Sequence, residues 1–135
     1  MILSNGIKGG CVLKKLVESV IENLSTGNVF LFRVTCENCG SEYGNRPIRF
    51  SKSEIPPDTQ SKQIIYSALY EQELRDARRT AIRTAAEHMN YCPICKRLVC
   101  NKCFQICDDL DMCKQCASDL KLPGNPVLVG FLEAK

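Results

Sequence analysis

The chain contains no tryptophan, one histidine and 7% aromatic residues, so large aromatic side chains are scarce as core fillers. A single histidine, His88, excludes any histidine-rich metal site and forces any histidine-dependent dyad through one position. No apolar stretch approaches the roughly 18 residues that cross a bilayer, so no membrane insertion is expected. The first twenty residues interrupt their apolar runs with Lys8, Lys14, Lys15 and Glu18, which breaks the apolar segment that a secretory signal needs. The chain therefore reads as cytoplasmic. Nucleophile elbows, phosphate-binding loops and paired-histidine zinc motifs are absent as well, and with them the sequence marks of hydrolytic or transfer chemistry. No enzyme is expected.

What the chain has is cysteine. Ten of its 135 residues are Cys, and without them the 44% hydrophobic share falls to about 37%. A core this thin in a chain this short calls for a second source of folding free energy. In a reducing compartment, clustered thiols hold metal more often than they form disulfides.

The run CVLKKLVESVIENL (residues 11–24) repeats apolar side chains at Leu13, Leu16, Val17, Val20, Ile21 and Leu24, the period of an amphipathic helix. Val29 to Thr35 is β-branched and aromatic and reads as one strand; a second is expected over Pro47 to Phe50. Ser51 to Lys62, with Pro56-Pro57, reads as a loop. Residues 63–89 lack Pro and Gly and are rich in helix formers, which predicts a long helix. Tyr66, Tyr70, Leu74, Ala77, Ala81, Ala85 and His88 form one stripe of that helix, with Arg75, Arg78, Arg79 and Arg83 on another side. Its small alanines invite close packing, for which the N-terminal helix is the expected partner. His88 reads as a packing or capping residue. The segment CKQCASDLKL reads as a short helix opened by a cysteine pair, closed by Pro123-Gly124, and Val127 to Leu132 reads as a last strand or docking tail. The expected organisation is an N-terminal helical segment (1–28), a two-zinc domain (29–122) with the long helix inserted, and a C-terminal tail (123–135).

Four C-x-x-C pairs stand at Cys36/Cys39, Cys92/Cys95, Cys100/Cys103 and Cys113/Cys116. Two intervening residues let both sulfurs face one tetrahedral ion at about 2.3 Å, and Gly40 can take positive φ after the second ligand. Eight ligands make two Zn(Cys)4 centres. Only four residues separate Cys95 from Cys100, so the hairpin leaving one knuckle carries the next pair away from its own metal. That favours a crossed arrangement over a serial one: Cys92 and Cys95 with Cys113 and Cys116, and Cys36 and Cys39 with Cys100 and Cys103.

From Cys36 to about Leu120 this spacing resembles the cross-brace of FYVE and, more loosely, RING-type fingers, and knuckle, hairpin and cysteine-opened helix resemble a treble clef. The resemblance implies an α+β fold, a small two-zinc treble-clef/zinc-ribbon module, with the eight cysteines as ligands. Lipid binding in FYVE domains uses a basic, histidine-containing motif before the third ligand. Here that position reads Glu87-His88-Met89-Asn90-Tyr91, and RING fingers generally include a histidine ligand, so only fold and metal roles carry over.

Cys107 and Cys11 remain. Cys107, six residues before Cys113, reads as a hairpin or core cysteine, with ligand replacement or a redox-sensitive thiol as the other readings; Cys11 reads as a small buried residue. The formal charge of +3 counts every cysteine as a neutral thiol. Two Zn(Cys)4 centres, each net −2, bring it to about −1, so a nucleic-acid surface would have to be local. The arginine face is balanced by Glu71, Glu73, Asp76 and Glu87 and reads as a solvated, salt-bridged surface. The expected function is a structural zinc protein acting as a protein-interaction adapter. Nucleic-acid binding through Arg75, Arg78, Arg79 and Arg83 with Lys96, Arg97 and Lys102 stands second, and a redox- or zinc-sensing thiol switch third.

Overall fold

The computed structural model describes residues 12–127; Cys11 and the tail beyond Val127 lie outside the described residues. Among the described residues no helix is long and apolar enough to cross a membrane. The chain begins with helix α1 (residues 12–20), which stops short of its sequence period. Leu13, Leu16, Val17 and Ile21 meet the core, whereas Val20 and Leu24 stay exposed. The cause is downstream: Glu22–Asn23 (β1) pairs with Phe32–Thr35 (β3), and a strand cannot continue the helix.

The expected single strand over Val29 to Thr35 is two strands. Val29–Phe30 (β2) pairs antiparallel with Ile48–Arg49 (β5), and β3 pairs with Glu42–Gly44 (β4), completing the sheet β1-β3-β4. The break falls at Leu31, and the buried Asn45 side chain fills it. Its Oδ1 accepts from the Phe32 N–H at 2.8 Å, and its Nδ2 donates to the Phe30 carbonyl at 3.1 Å and the Arg46 carbonyl at 2.7 Å. One amide thus satisfies backbone groups on both sides of the switch. Asn45→Ala should cost about 3 kcal/mol in urea unfolding, because buried backbone groups lose partners that no water replaces.

Helix α2 (Gln60–His88) starts three residues earlier than its composition indicates, because Thr59 caps it: the Lys62 N–H donates to Thr59 Oγ1 at 3.1 Å. Its alanine stripe is covered by strands at Ala77 and Ala81, while Ala85 shares a core with Val17 of α1. Ala77 and Ala81 pack with Phe30, Phe32 and Phe50, and Tyr66, Leu69, Tyr70 and Leu74 close this second core. Its rings meet at preferred tilted or edge-on geometries, with Phe50 5.1 Å from Tyr66 and 5.2 Å from Tyr70. Phe50, 1% exposed, is the centre of this packing. Phe50→Ala should lower unfolding free energy by about 3–5 kcal/mol, while Ile64→Ala, 64% exposed on the same helix, should stay within about 0.5 kcal/mol.

Farther along α2, Ile82 and Ala85 join Val17 and Val34 in the first core, where the cysteines lie. Strand β3 serves both cores, with Phe32 in one and Val34 in the other. His88, at the helix end, stacks on Tyr43, with centroids 5.1 Å apart and planes 14° apart. Beyond α2 the elements are short. Met89–Tyr91 (β6) pairs with Leu98–Cys100 (β7); a 3-10 turn over Asn101–Cys103 leads to Phe104–Ile106 (β8), which pairs with Met112–Cys113 (β9). Helix α3 (Lys114–Asp119) follows, and Asn125–Pro126 (β10) adds to the far edge of β8.

Candidate metal centres

The knuckles are built alike. In the first, the Cys36 N–H donates to the Ser41 carbonyl at 2.8 Å and the Gly40 N–H to the Cys36 carbonyl at 3.0 Å; in the second, Cys92 donates to Arg97 at 2.9 Å and Lys96 to Cys92 at 2.8 Å. Each tight turn throws its last residue into the left-handed region. Gly40 sits at φ 82, as the sequence indicates, and Lys96 takes φ 64 at the matching place without being glycine.

These turns deliver eight thiols to two clusters, Cys36, Cys39, Cys100 and Cys103 in one and Cys92, Cys95, Cys113 and Cys116 in the other, with all four sulfurs of each cluster within 4.8 Å of one another. The grouping is the crossed one. Strand β7 is the reason: it leaves the second knuckle and ends on Cys100, whose N–H donates to Cys36 Sγ at 3.2 Å. In the same manner the Cys113 N–H donates to Cys92 Sγ at 3.3 Å. The first cluster is completed by the 3-10 turn, the second by α3, whose cap is Cys113 with its Sγ accepting from the Cys116 N–H at 3.4 Å.

A tetrahedron of sulfurs at about 2.3 Å from a central ion has edges of about 3.8 Å. The observed separations include Cys39 to Cys100 at 3.6 Å and Cys100 to Cys103 at 3.9 Å in the first cluster, and Cys92 to Cys116 and Cys95 to Cys113 at 3.8 Å each in the second. Disulfides, at about 2.05 Å, are excluded by these separations. Both clusters therefore have the size and donor set to hold a metal ion.

The thiols of each cluster are split in acidity. The Ser41 hydroxyl, 3.2 Å from Cys39 Sγ, together with the Ser41 backbone holds Cys39 down to about 6. Burial raises the Cys95 thiol, but the Arg97 guanidinium overcomes it and the group settles at about 6. Burial also opposes ionisation of Cys36, which is nonetheless lowered by the N–H groups of Cys39, Cys100 and Asn38. In contrast, burial and the neighbouring sulfurs push Cys103 up to about 12 and raise Cys116 as well. Four thiols packed this closely cannot all ionise without a cation between them.

Sequence spacing did not single out Arg97 as a contact of the clusters. Its Nε donates to Cys95 Sγ at 3.3 Å, one terminal nitrogen to Cys113 Sγ at 3.7 Å and the other to the Glu37 carbonyl at 3.2 Å. Glu37, in the first knuckle, pairs with β7: its N–H donates to the Leu98 carbonyl at 3.0 Å and its carboxylate accepts from the Leu98 N–H at 2.9 Å. The signal was an arginine two residues after a ligand.

The remaining candidates lie outside both clusters. Cys107 is half-buried, its N–H donating to Asp111 Oδ1 at 3.0 Å. Arg75, Arg78, Arg79 and Arg83 are exposed; Arg78 donates to the Glu18 carbonyl and Arg79 pairs with Asp76. An open groove of about 400 Å³ lies between the loop before α2 and the first turns of that helix, lined by Ile55, Pro56, Pro57, Ile65, Tyr66 and Leu69 together with the charged Lys52, Asp58 and Lys62. No protein family, curated protein or solved structure matches this chain.

Proposed function

We propose that the chain is a structural zinc protein in which two Zn(Cys)4 centres fold a cross-braced module of treble-clef type that presents an adapter surface to another protein. The observation that carries the zinc reading is the pair of four-sulfur clusters with near-tetrahedral edges. Thiolate-only tetrahedral sites suit zinc among the abundant divalent ions. Such a site has no open position for water or substrate, so its role is structural rather than catalytic. Cys36, Cys39, Cys100 and Cys103 would hold one ion, and Cys92, Cys95, Cys113 and Cys116 the other. Treble-clef topology is supported by the order of knuckle, β6-β7 hairpin and cysteine-capped α3 around the clusters. The adapter reading is supported by the apolar groove, which lies away from both clusters.

Nucleic-acid binding has less support, since two of the four helix arginines are already engaged within the chain. A thiol switch at Cys107 has less still, because that sulfur belongs to neither cluster. Elemental analysis of reduced, purified protein should give two zinc ions per chain. Metal-free protein, or iron in place of zinc, overturns the reading. For the adapter role, Ile65→Asp should abolish capture of the wild-type partner while leaving two zinc ions bound; unchanged capture would remove the groove from the proposal.

A further inference from the structure

The two centres have nearly the same ligand geometry but different surroundings. Among the described residues, Arg97 is the cationic side chain that touches ligand sulfurs, and it touches only the second cluster, bridging Cys95 and Cys113. The first cluster has a neutral neighbour instead: the Ser41 hydroxyl beside Cys39, with Lys102 Nζ reaching that hydroxyl at 3.4 Å rather than a sulfur. Cys39 is also the exposed ligand, whereas the outermost sulfur of the second cluster, Cys95, is half-covered.

These differences bear on how a zinc thiolate is lost. A competing chelator donor takes the coordination position as one thiolate leaves and takes up a proton from water, so loss begins at the sulfur that solvent and chelator reach. A guanidinium fork donating to two sulfurs ties them together and occupies the approach to them. Its third contact, on the Glu37 carbonyl, fixes the fork from the neighbouring knuckle.

Resting on the zinc reading above, we propose that Arg97 ranks the centres: the Cys92/Cys95/Cys113/Cys116 centre is retained, and the Cys36/Cys39/Cys100/Cys103 centre is the exchangeable one, opening at Cys39. Arg97 is a positioning residue for the retained centre. Outer contacts of this kind are worth about 10–100-fold in metal affinity.

The test is a timed EDTA challenge of the two-zinc protein under reducing conditions. Native mass spectrometry counts bound zinc, and iodoacetamide labelling with peptide mapping identifies the freed thiols. The buried Cys36 and Cys103 report the first centre, and the buried Cys92 and Cys116 the second. Wild type should pass through a one-zinc species labelled at Cys36 and Cys103 and protected at Cys92 and Cys116. Arg97→Gln should speed loss from the second centre about 10–100-fold and erase the order, while Arg97→Lys, which keeps the charge without the fork, should restore part of it. Simultaneous loss in wild type, the reverse labelling pattern, or an order unchanged in Arg97→Gln overturns the ranking while leaving the zinc reading intact. A starting protein without zinc overturns that reading itself.

Discussion

Chelation of the reduced protein is expected to unfold residues 89–122 and to leave the first two thirds of α2 the best protected part of the chain. The argument is one of what each core is made from. Six of the sixteen buried residues in the first core are cysteines, Cys36, Cys92, Cys100, Cys103, Cys113 and Cys116. Without a cation these thiols face one another at 3.6 to 3.9 Å where the measured pairs lie, uncrosslinked and only partly able to ionise. The elements they tie down are strands of two or three residues and a six-residue helix. Neither such a helix nor an isolated hairpin is stable in water. Structural zinc contributes about 10 kcal/mol or more per site at neutral pH, as much as a whole domain's usual net stability of roughly 5–15 kcal/mol.

The second core contains no cysteine. Phe30, Phe32, Phe50, Ala77 and Ala81, closed by Tyr66, Leu69, Tyr70 and Leu74, join α2 to β2, β3 and the residue that follows β5. Hydrogen exchange with and without chelator should therefore show amides of residues 89–122 exchanging as in a denatured chain, with slower exchange retained between Tyr66 and Ala81. Equal protection of residues 89–122 in both samples would show that the thiol clusters do not hold this region together.

The division also explains what could be read from sequence. A C-x-x-C knuckle is a local object: its turn, its two hydrogen bonds and the positive φ of Gly40 depend on six consecutive residues, so spacing suffices. The four-residue link from Cys95 to Cys100 is equally local and limits where the next pair can go. Helix α2 was legible because nothing in it opposes helix. The break at Leu31 was not, because VFLFRVT is a good strand along its whole length and what divides it is the Asn45 amide, thirteen residues beyond Phe32 in the chain. The early end of α1 depends in the same way on β3. Alanines at helical spacing announce close packing but not whether a helix or a sheet will cover them. Arg97 was read as a basic surface residue rather than a contact of the clusters because it, Cys113 and Glu37 come from three separate stretches.

Replacing Cys103 with serine should remove one zinc equivalent, whereas replacing Cys107 with serine should remove none. The two residues are four positions apart, both precede Cys113, and either could close a four-ligand set on spacing alone. Geometry separates them. Cys103 Sγ lies 3.9 Å from Cys100 Sγ, inside the first cluster. Cys107 sits in the turn after β8, where its N–H is held by Asp111 and its sulfur lies 3.0 Å from where a Cβ on Gly124 would be. A serine at 103 offers a poorer donor to a thiolate site in a buried position and leaves three sulfurs gathered without their ion. The effect should be large, approaching the roughly 10 kcal/mol contribution of a structural zinc, with loss of the first centre and of the packing of β7 against Cys36. A serine at 107 exchanges one small half-buried group for another and should change stability by about 1 kcal/mol or less. Metal content by elemental analysis and unfolding midpoints of the two variants, measured together, check the assignment. Should Cys107→Ser lose the zinc while Cys103→Ser keeps both, the first centre would be completed from the turn after β8 rather than from the 3-10 turn before it.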